Sequence, residues 1–416
     1  MSVLRLAVVQ QWLVPYRLPV FRALAEHPEV SLTVIHGTTP PVTDGELGLT
    51  TCQGLGEPFA TLEGPIPGLR WAGKSLLWHR PAIRALRRYR FDAVIHNFAT
   101  RWASFWPARW IQRGRGGAFL LWGHGFSKTP TPWLDRLRMG MVRSADAVIL
   151  YSDTHRRRYI QMGAQPEKLF VAPNSVDLAA IDLACERWNG QVLAEFRRRR
   201  GLDDGPVLLH VGRLAPDKRL DVLLTAAAAL RKQYAGLKVV LVGEGPSAES
   251  LKRQAASLRL DGAVEMPGAI HDEMDLAPWM LSADLVVAPG PIGLLALHAQ
   301  AYGRTVVFSD DPVLHGPEIK TLVSGQNAMA YPTGDAEALA KTIAALLEDP
   351  QGRQAMGLAS WQSARAACGV PRMVNGILEA VSYATGQRLR PLPVPDATGL
   401  APCPRQRPTA AEVAHG

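Results

Sequence analysis

The chain alternates short apolar runs with longer stretches in which apolar residues return every third or fourth position. Leu4–Val9, Ser31–His36, Asp92–His96, Ala118–Trp122, Ala147–Tyr151 and Lys168–Val171 are runs of the first kind. Their length and apolar continuity predict strands buried on both faces. Helical spacing between them predicts helices at about Leu18–Glu26, Ser75–Tyr89, Arg101–Arg113, Trp133–Ser144 and Thr154–Gln161. Thr38–Gly73 is rich in Gly, Pro and Thr and carries little periodicity, which predicts a long loop. After Asn174-Ser-Val-Asp177 the pattern restarts. Strands are expected at Val207–Val211, Lys238–Val242, Val264–Met266, Leu285–Ala288 and Thr305–Phe308, and helices at Asp335–Leu347, Gln351–Ala366 and Val370–Ala384. From Arg388 the chain is Pro-rich and aperiodic, as expected of a disordered tail. Strand–helix alternation of this kind predicts parallel sheets covered by helices on both faces, the α/β class. The expected division is 1–185, 186–366, a helix at 367–386 and a tail at 387–416.

Composition narrows this little. A chain of 416 residues with 47% hydrophobic and 20% charged residues can bury two or three ordinary cores. The longest apolar runs are broken well before the length that spans a membrane, so no transmembrane helix is expected. The N-terminus lacks a charged segment followed by a long apolar one, so no signal peptide is expected either. Cys52, Cys185, Cys368 and Cys403 are scattered without metal-like spacing and read as free thiols of a reducing cytoplasm.

Charge changes the picture more. Residues 1–200 hold 27 Lys and Arg against 15 Asp and Glu, while the remainder holds 19 against 22. A basic half points to an anionic partner. The Arg clusters lack a recognisable nucleic-acid-binding module, so nucleic acid is not expected. An anionic membrane surface is another candidate; the alternative is a set of solvated Arg-rich helix faces. The expected location is the cytoplasm, peripheral on the inner face of the membrane. Neither a nucleophile elbow nor a His/Cys cluster is present, and Asp203-Asp204 and Asp310-Asp311 read as turn and cap chemistry. No metal or other cofactor is expected.

The most informative stretch is Pro206-Val-Leu-Leu-His-Val-Gly-Arg-Leu-Ala-Pro-Asp-Lys218 with the helix after it. A buried strand ends at Gly212, which permits a sharp turn. Asp217 can cap a helix that opens near Lys218 and carries Leu220, Leu223 and Leu224 on one face. Arg213 and Lys218, five residues apart, can then converge with that helix N-terminus on one anion. The bland alternative is a solvated basic loop. Leu241-Val-Gly-Glu-Gly-Pro246 is a second strand–turn–helix junction, where Gly243 and Gly245 allow close approach of a ligand to the backbone.

These residues, about 30 positions apart and in this order, resemble the signature of the family 4 nucleotide-sugar glycosyltransferases. The resemblance covers roughly residues 3–385 and is most specific from 205 to 305. It implies the GT-B architecture: two doubly wound, Rossmann-like domains facing across a cleft, with the last helix crossing back onto the first domain. It implies a nucleotide diphosphate sugar as donor, UDP- or GDP-linked, a sugar or lipid-linked acceptor, and cations and helix dipoles in place of a divalent ion. Arg213 and Lys218 would hold the donor diphosphate. Gly268, in Glu265-Met-Pro-Gly-Ala269, would lie where backbone contacts the base. Retention of anomeric configuration, and a role in cell-surface polysaccharide or glycolipid synthesis, follow from the same likeness.

One motif departs from the family. Aligning Ile292-Gly-Leu294 with the usual Phe-Gly-Leu of the Glu-x7-Glu element puts Gly290 at the first Glu and His298 at the second. The backbone frame survives: Gly293 and Leu294 still offer amides at a helix start. His298 would give a hydrogen bond to the ribose, or else simply pack. Glu318 would supply the lost carboxylate, or else only open a helix. On the acceptor side, His124 stands between two glycines at a strand end and would reach the donor sugar and reaction centre. Tyr16 and Arg17 lie in Tyr16-Arg-Leu-Pro-Val-Phe21, a segment found in many members; Arg17 would contact phosphate or acceptor, or be salt-bridged at a helix start. Two other readings stay open, a non-catalytic partner of the same fold and a nucleotide-sugar epimerase.

Overall fold

The computed structural model describes residues 3–38, 56–71, 74–125 and 131–395. They form two compact units, one running to Ser175 and resuming at Val370–Pro395, the other comprising Val176–Gly369.

The first unit begins β1 (Leu4–Val9), α1 (Leu18–Ala25), β2 (Val30–Gly37), β3 (Ala60–Gly64) and a hairpin of β4 (Gly68–Trp71) and β5 (Lys74–Leu77). It continues α2 (Arg80–Arg88), β6 (Ala93–Asn97), α3 (Phe105–Gly114), β7 (Ala118–Gly123), α4 (Pro132–Ser144), β8 (Ala147–Leu150), α5 (Asp153–Gln161) and β9 (Leu169–Val171). Seven strands form a parallel sheet in the order β3-β2-β1-β6-β7-β8-β9. Apolar residues fill both parities of each strand because both faces are covered. Leu6, Val8, Ile95, Leu120 and Trp122 enter one core, whereas Ala7, Val9, Val94, Phe119 and Leu121 enter the other.

The second unit runs α6 (Leu178–Arg187), α7 (Gly190–Arg200), β10 (Val207–Val211), α8 (Leu220–Leu230), β11 (Lys238–Val242), α9 (Ala248–Ser257), β12 (Val264–Gly268), α10 (Glu273–Ser282) and β13 (Leu285–Ala288). Next come α11 (Leu294–Ala301), β14 (Val306–Ser309), β15 (Ala328–Tyr331), α12 (Ala336–Glu348) and α13 (Pro350–Ala367). Its parallel sheet has the order β12-β11-β10-β13-β14-β15. The chain then returns to the first unit as α14 (Val370–Thr385), whose Met373, Val374, Ile377 and Val381 pack into the core with Leu6 and Trp122. Two doubly wound parallel-sheet units are the GT-B fold. Among the described residues no helix is long and apolar enough to cross a membrane.

Several expectations need correction. Part of the segment read as a loop is ordered: β3 pairs with β2, and β4 pairs with β5. The sequence hid β3 because it is an edge strand, with half-buried and exposed residues in place of a periodic apolar face. The helix expected from Ser75 opens only at Arg80, where the His79 side chain accepts from the Ala82 amide at 3.2 Å and Pro81 sits in the first turn. The helix expected from Arg101 starts at Phe105, and β15 was not anticipated. The unit boundary lies at Ser175/Val176, not at 185. Asp177 caps α6 through the Ala180 amide at 3.1 Å, and Ile181, Ala184 and Cys185 fill the second unit's core. The start of the tail is packed: Leu389 is buried, and the Asn375 amide exchanges two hydrogen bonds with the Leu392 backbone at 2.7 and 2.9 Å. Residues 396–416 lie outside the described set.

Candidate functional site

In the second unit the strand order reverses between β10 and β13, since β11 and β12 lie to one side and β14 and β15 to the other. Ligands of open parallel sheets bind at such a switch point, beyond the strands' carboxyl ends. The loop after β10 carries Gly212, Arg213 and Lys218, and the loop after β13 carries Gly290–Gly293. They are locked together. Lys218 Nζ donates to the Pro291 carbonyl at 2.7 Å, and a Cβ on Gly290 would lie 2.3 Å from the Asp217 carbonyl oxygen. Position 290 therefore has no room for the family's first Glu, because the Asp217–Lys218 backbone occupies that space.

The glycines do similar work. Gly212 donates to the Val242 carbonyl at 2.9 Å, and Gly243 to the Gly268 carbonyl at 2.8 Å. A Cβ on Gly243 would approach the Gly212 carbonyl oxygen far inside contact distance, and one on Gly245 would meet the Leu214 carbonyl oxygen at 2.3 Å. Gly212, Gly243 and Gly245 adopt φ of 151°, 144° and 155°, a region L side chains rarely enter. Three strand ends thus close on one another without side chains between them.

Asp217 does not cap a helix. It lies in a 3-10 turn, Pro216–Lys218, and its carboxylate faces Arg213 at 3.5 Å. Helix α8 begins after Arg219, a non-glycine residue at φ 52°. Behind the turn, His210 Nδ1–H donates to the Val287 carbonyl at 2.9 Å, tying β10 to β13. Burial pushes the His210 pKa down to about 4; the Val287 bond opposes this and the Lys218 charge adds to it, so the ring stays neutral.

Helix α11 starts at Leu294 with Gly293 as an uncapped N-terminal residue. That leaves backbone amides and the positive helix end for an anion. The loop before it is braced from β14: the Ile292 amide donates to His315 Nδ1 at 3.1 Å, and His315 Nε2–H donates to the Ser309 carbonyl at 2.7 Å. Glu318 is buried beside this helix start, its Oε2 3.9 Å from where a Gly293 Cβ would stand. His298 lies one turn further on. Its Nε2 meets Glu273 Oε2 at 3.1 Å, and Tyr302 Oη donates to Glu273 Oε1 at 2.6 Å. Burial alone would raise the Glu273 pKa, but His298 and Tyr302 outweigh it and hold the carboxyl below its ordinary value.

In the first unit, Arg17 and His124 gather beyond the carboxyl ends of β1, β7, β8 and β9. Arg17 Nη2 donates to Tyr151 Oη at 2.7 Å and to Asn174 Oδ1 at 3.2 Å. The His124 ring sits 4.6 Å from the Tyr151 ring, with an edge exposed. Partial burial, His155 and the Arg17 cation all push His124 towards its neutral form. Tyr16 is 45% exposed beside them. Arg17 is not the salt-bridged helix-start residue that one sequence reading allowed, since all its recorded partners are neutral. Among the described residues no group of His, Cys, Asp and Glu is arranged to hold a metal.

The model of the group 1 glycosyl transferases matches residues 194–360, and that of glycosyltransferase family 4 matches residues 22–180. A D-inositol 3-phosphate glycosyltransferase of Salinispora arenicola is 31% identical over 404 residues, 89% of this chain and 86% of that protein. The chain belongs to the family 4, group 1 glycosyltransferases. An alpha-D-kanosaminyltransferase of Streptomyces kanamyceticus is 28% identical over 69% of the chain and 76% of its own length. The solved structure of HepE from Anabaena in complex with UDP shares the fold, with TM-score 0.69 and 18% identity over 92% of this chain and 100% of that one.

Within this glycosyltransferase, the second unit brings together Gly212, Arg213, Lys218, Gly243, Gly245, Gly268, Gly293, Leu294 and Glu318, with His298 further along α11. Tyr16, Arg17 and His124 form a separate cluster in the first unit. Sequence reasoning missed Glu273, Tyr302 and His315, and the Trp122, Tyr151 and Asn174 side chains around Arg17. Tyr151 and Asn174 follow strand ends, which was a usable signal. Glu273 lies 25 positions from its His298 partner, and no local pattern announces that pairing.

Proposed function

We propose that this glycosyltransferase binds a nucleoside diphosphate sugar on the second unit and passes the sugar, with retention, to an acceptor hydroxyl. The closure of the Arg213–Lys218 turn onto the Gly290–Leu294 turn carries this reading, because it sets two cations and a bare helix N-terminus around one loop junction. Departure of the nucleotide puts negative charge on the β-phosphate. Preorganised cations and amides that meet that charge are the largest catalytic contribution open to such a site. UDP in the Anabaena structure supports this ligand class. Glu273 orients His298 and leaves Nδ1 for a ribose hydroxyl, while Glu318 stands beside Gly293 to receive sugar hydroxyls. His124, neutral at pH 7, orients the sugar or the acceptor. The exposed arginines of α2 (Arg80, Arg84, Arg87 and Arg88) support docking on an anionic membrane surface, as glycolipid or surface-polysaccharide synthesis requires.

Release of UDP or GDP from a panel of nucleotide sugars, with sugar hydroxyls as acceptors, tests the reading. Release with one donor class, lost on replacing Lys218, supports it. No release with any donor would contradict it.

A further inference from the structure

The first unit holds a buried cation to which the proposed donor site on the second unit assigns no role. Arg17 is 7% exposed. Besides Tyr151 and Asn174, its Nη1 approaches Met373 Sδ at 3.5 Å. Its guanidinium carbon lies 4.7, 5.1 and 5.3 Å from the ring centroids of Trp122, Tyr151 and Tyr16. Neutral acceptors and aromatic faces recover only part of what a guanidinium loses on leaving water.

The other buried arginines among the described residues show how this chain handles such a charge. Arg138 pairs with Asp135, Arg197 with Asp203 and Arg353 with Asp284. Arg304 lies in the field of Asp284. Arg17 is the exception. Asp153, two residues beyond Tyr151 in the chain, pairs with Arg156 and Arg157.

The groups in contact with Arg17 are neutral, and the cluster reaches solvent. His124 is exposed against Tyr151, and its ring centroid is 6.4 Å from that of His155 in the first turn of α5. Tyr16 opens the same cluster to solvent. All these groups lie beyond the carboxyl ends of parallel strands, where such sheets take ligands. A planar guanidinium presents a fork that matches an oxyanion.

We propose that Arg17, with His124 beside it, is an oxyanion site on the first unit, and that the acceptor carries a phosphate or carboxylate group that docks there. This rests on the reading that the nucleotide occupies the second unit.

The test follows thermal unfolding of the full chain in inorganic phosphate, in acetate and in UDP, each against sodium chloride of matched ionic strength. Phosphate, acetate or both should raise Tm by about 2 °C or more at concentrations well above Kd, and the pattern tells which oxyanion class the site takes. In a protein that also carries Arg213→Ala, so that the second unit's loops contribute little to it, Arg17→Met should abolish that response; on its own it should not lower the ligand-free Tm, because it removes a charge that lacks a counter-ion and keeps the apolar stem. Arg17→Lys should keep part of it. Arg213→Ala should lose the UDP response and keep the phosphate one. The proposal is overturned if neither anion gives a response beyond ionic strength. It is equally overturned if Arg17→Met unfolds several degrees lower with its anion response intact, or if Arg213→Ala abolishes that response and Arg17→Met does not. A wild-type protein that answers phosphate but not UDP would support this site while contradicting the donor reading.

Discussion

Gly290→Ala is a minimal perturbation of the loops proposed to hold the donor, with a magnitude set by the geometry. The added Cβ would lie 2.3 Å from the Asp217 carbonyl oxygen and 2.8 and 2.9 Å from the Lys218 carbonyl carbon and Cα. These are backbone atoms, so no side chain can swing aside. The turn they belong to is tied by Lys218 N–H to the Ala215 carbonyl at 2.9 Å, and only Pro289 separates Gly290 from the end of β13. One of the two turns must therefore shift by about 1 Å, at a cost on the order of 1–3 kcal/mol for overpacking of this kind. For a unit of this size that is a fall in Tm of roughly 2–12 °C. The shift also displaces Lys218 and Arg213, and a misplacement of about 1 Å in a positioning element can cost ~100-fold in rate. Gly290→Glu, which restores the family's usual carboxylate, should do no better than Ala. Thermal unfolding and UDP titration of the variants check both effects. An alanine variant with unchanged Tm and UDP affinity would refute the claim that the Asp217–Lys218 turn fills this space.

Other consequences follow from the same contacts. His298→Ala removes the partner of the largely buried Glu273 carboxylate and should lower stability by about 1–3 kcal/mol; His298→Glu sets a like charge there and should be worse, and an unchanged Tm in both would contradict the pairing. Burial holds the folded-state pKa of His79 and His210 at about 4 and of His96 at about 3, below the ordinary 6.5. Their contribution to stability is therefore full above pH 6.5 and lost as pH falls through that value towards 4, by up to about 1.4 kcal/mol per unit for each ring. Tm measured across this range should fall with acid, less steeply in His96→Phe, and a flat profile would count against it. Binding to anionic vesicles should weaken steeply as salt rises, and equal binding to neutral vesicles would reduce the α2 arginines to plain surface.

Much of the fold was legible because both sheets are parallel and covered on both faces. Strands such as Val207–Val211 and Ala118–Trp122 therefore appear as unbroken apolar runs between amphipathic helices. Edge and hairpin strands such as Ala60–Gly64 carry no such run. The Arg213–Lys218 turn was legible as chemistry, yet its capping was misread. Arg219 takes up the left-handed conformation at the start of α8, which no local pattern signals, and Asp217 turns to Arg213 instead. The loss of Glu at position 290 was visible in sequence. Its cause was not, since only the tertiary approach of Asp217 and Lys218 shows that a side chain has nowhere to go. Arg17 was picked out by its position, but the absence of an acid beside it depends on residues as distant as Asn174 and Met373.

The central claim is that Arg213 and Lys218 hold a nucleoside diphosphate on the second unit. Calorimetric titration of UDP and GDP into the wild type, Arg213→Ala and Lys218→Ala tests it most directly. One nucleotide should bind the wild type. Each substitution, removing one charge-assisted contact of about 1.5–3 kcal/mol, should weaken binding by roughly 10–100-fold; the ligand-free Tm should be unchanged in Arg213→Ala and lower in Lys218→Ala, which also loses the bond to the Pro291 carbonyl. Equal affinity in all three proteins, or no binding of either nucleotide to the wild type, would contradict it.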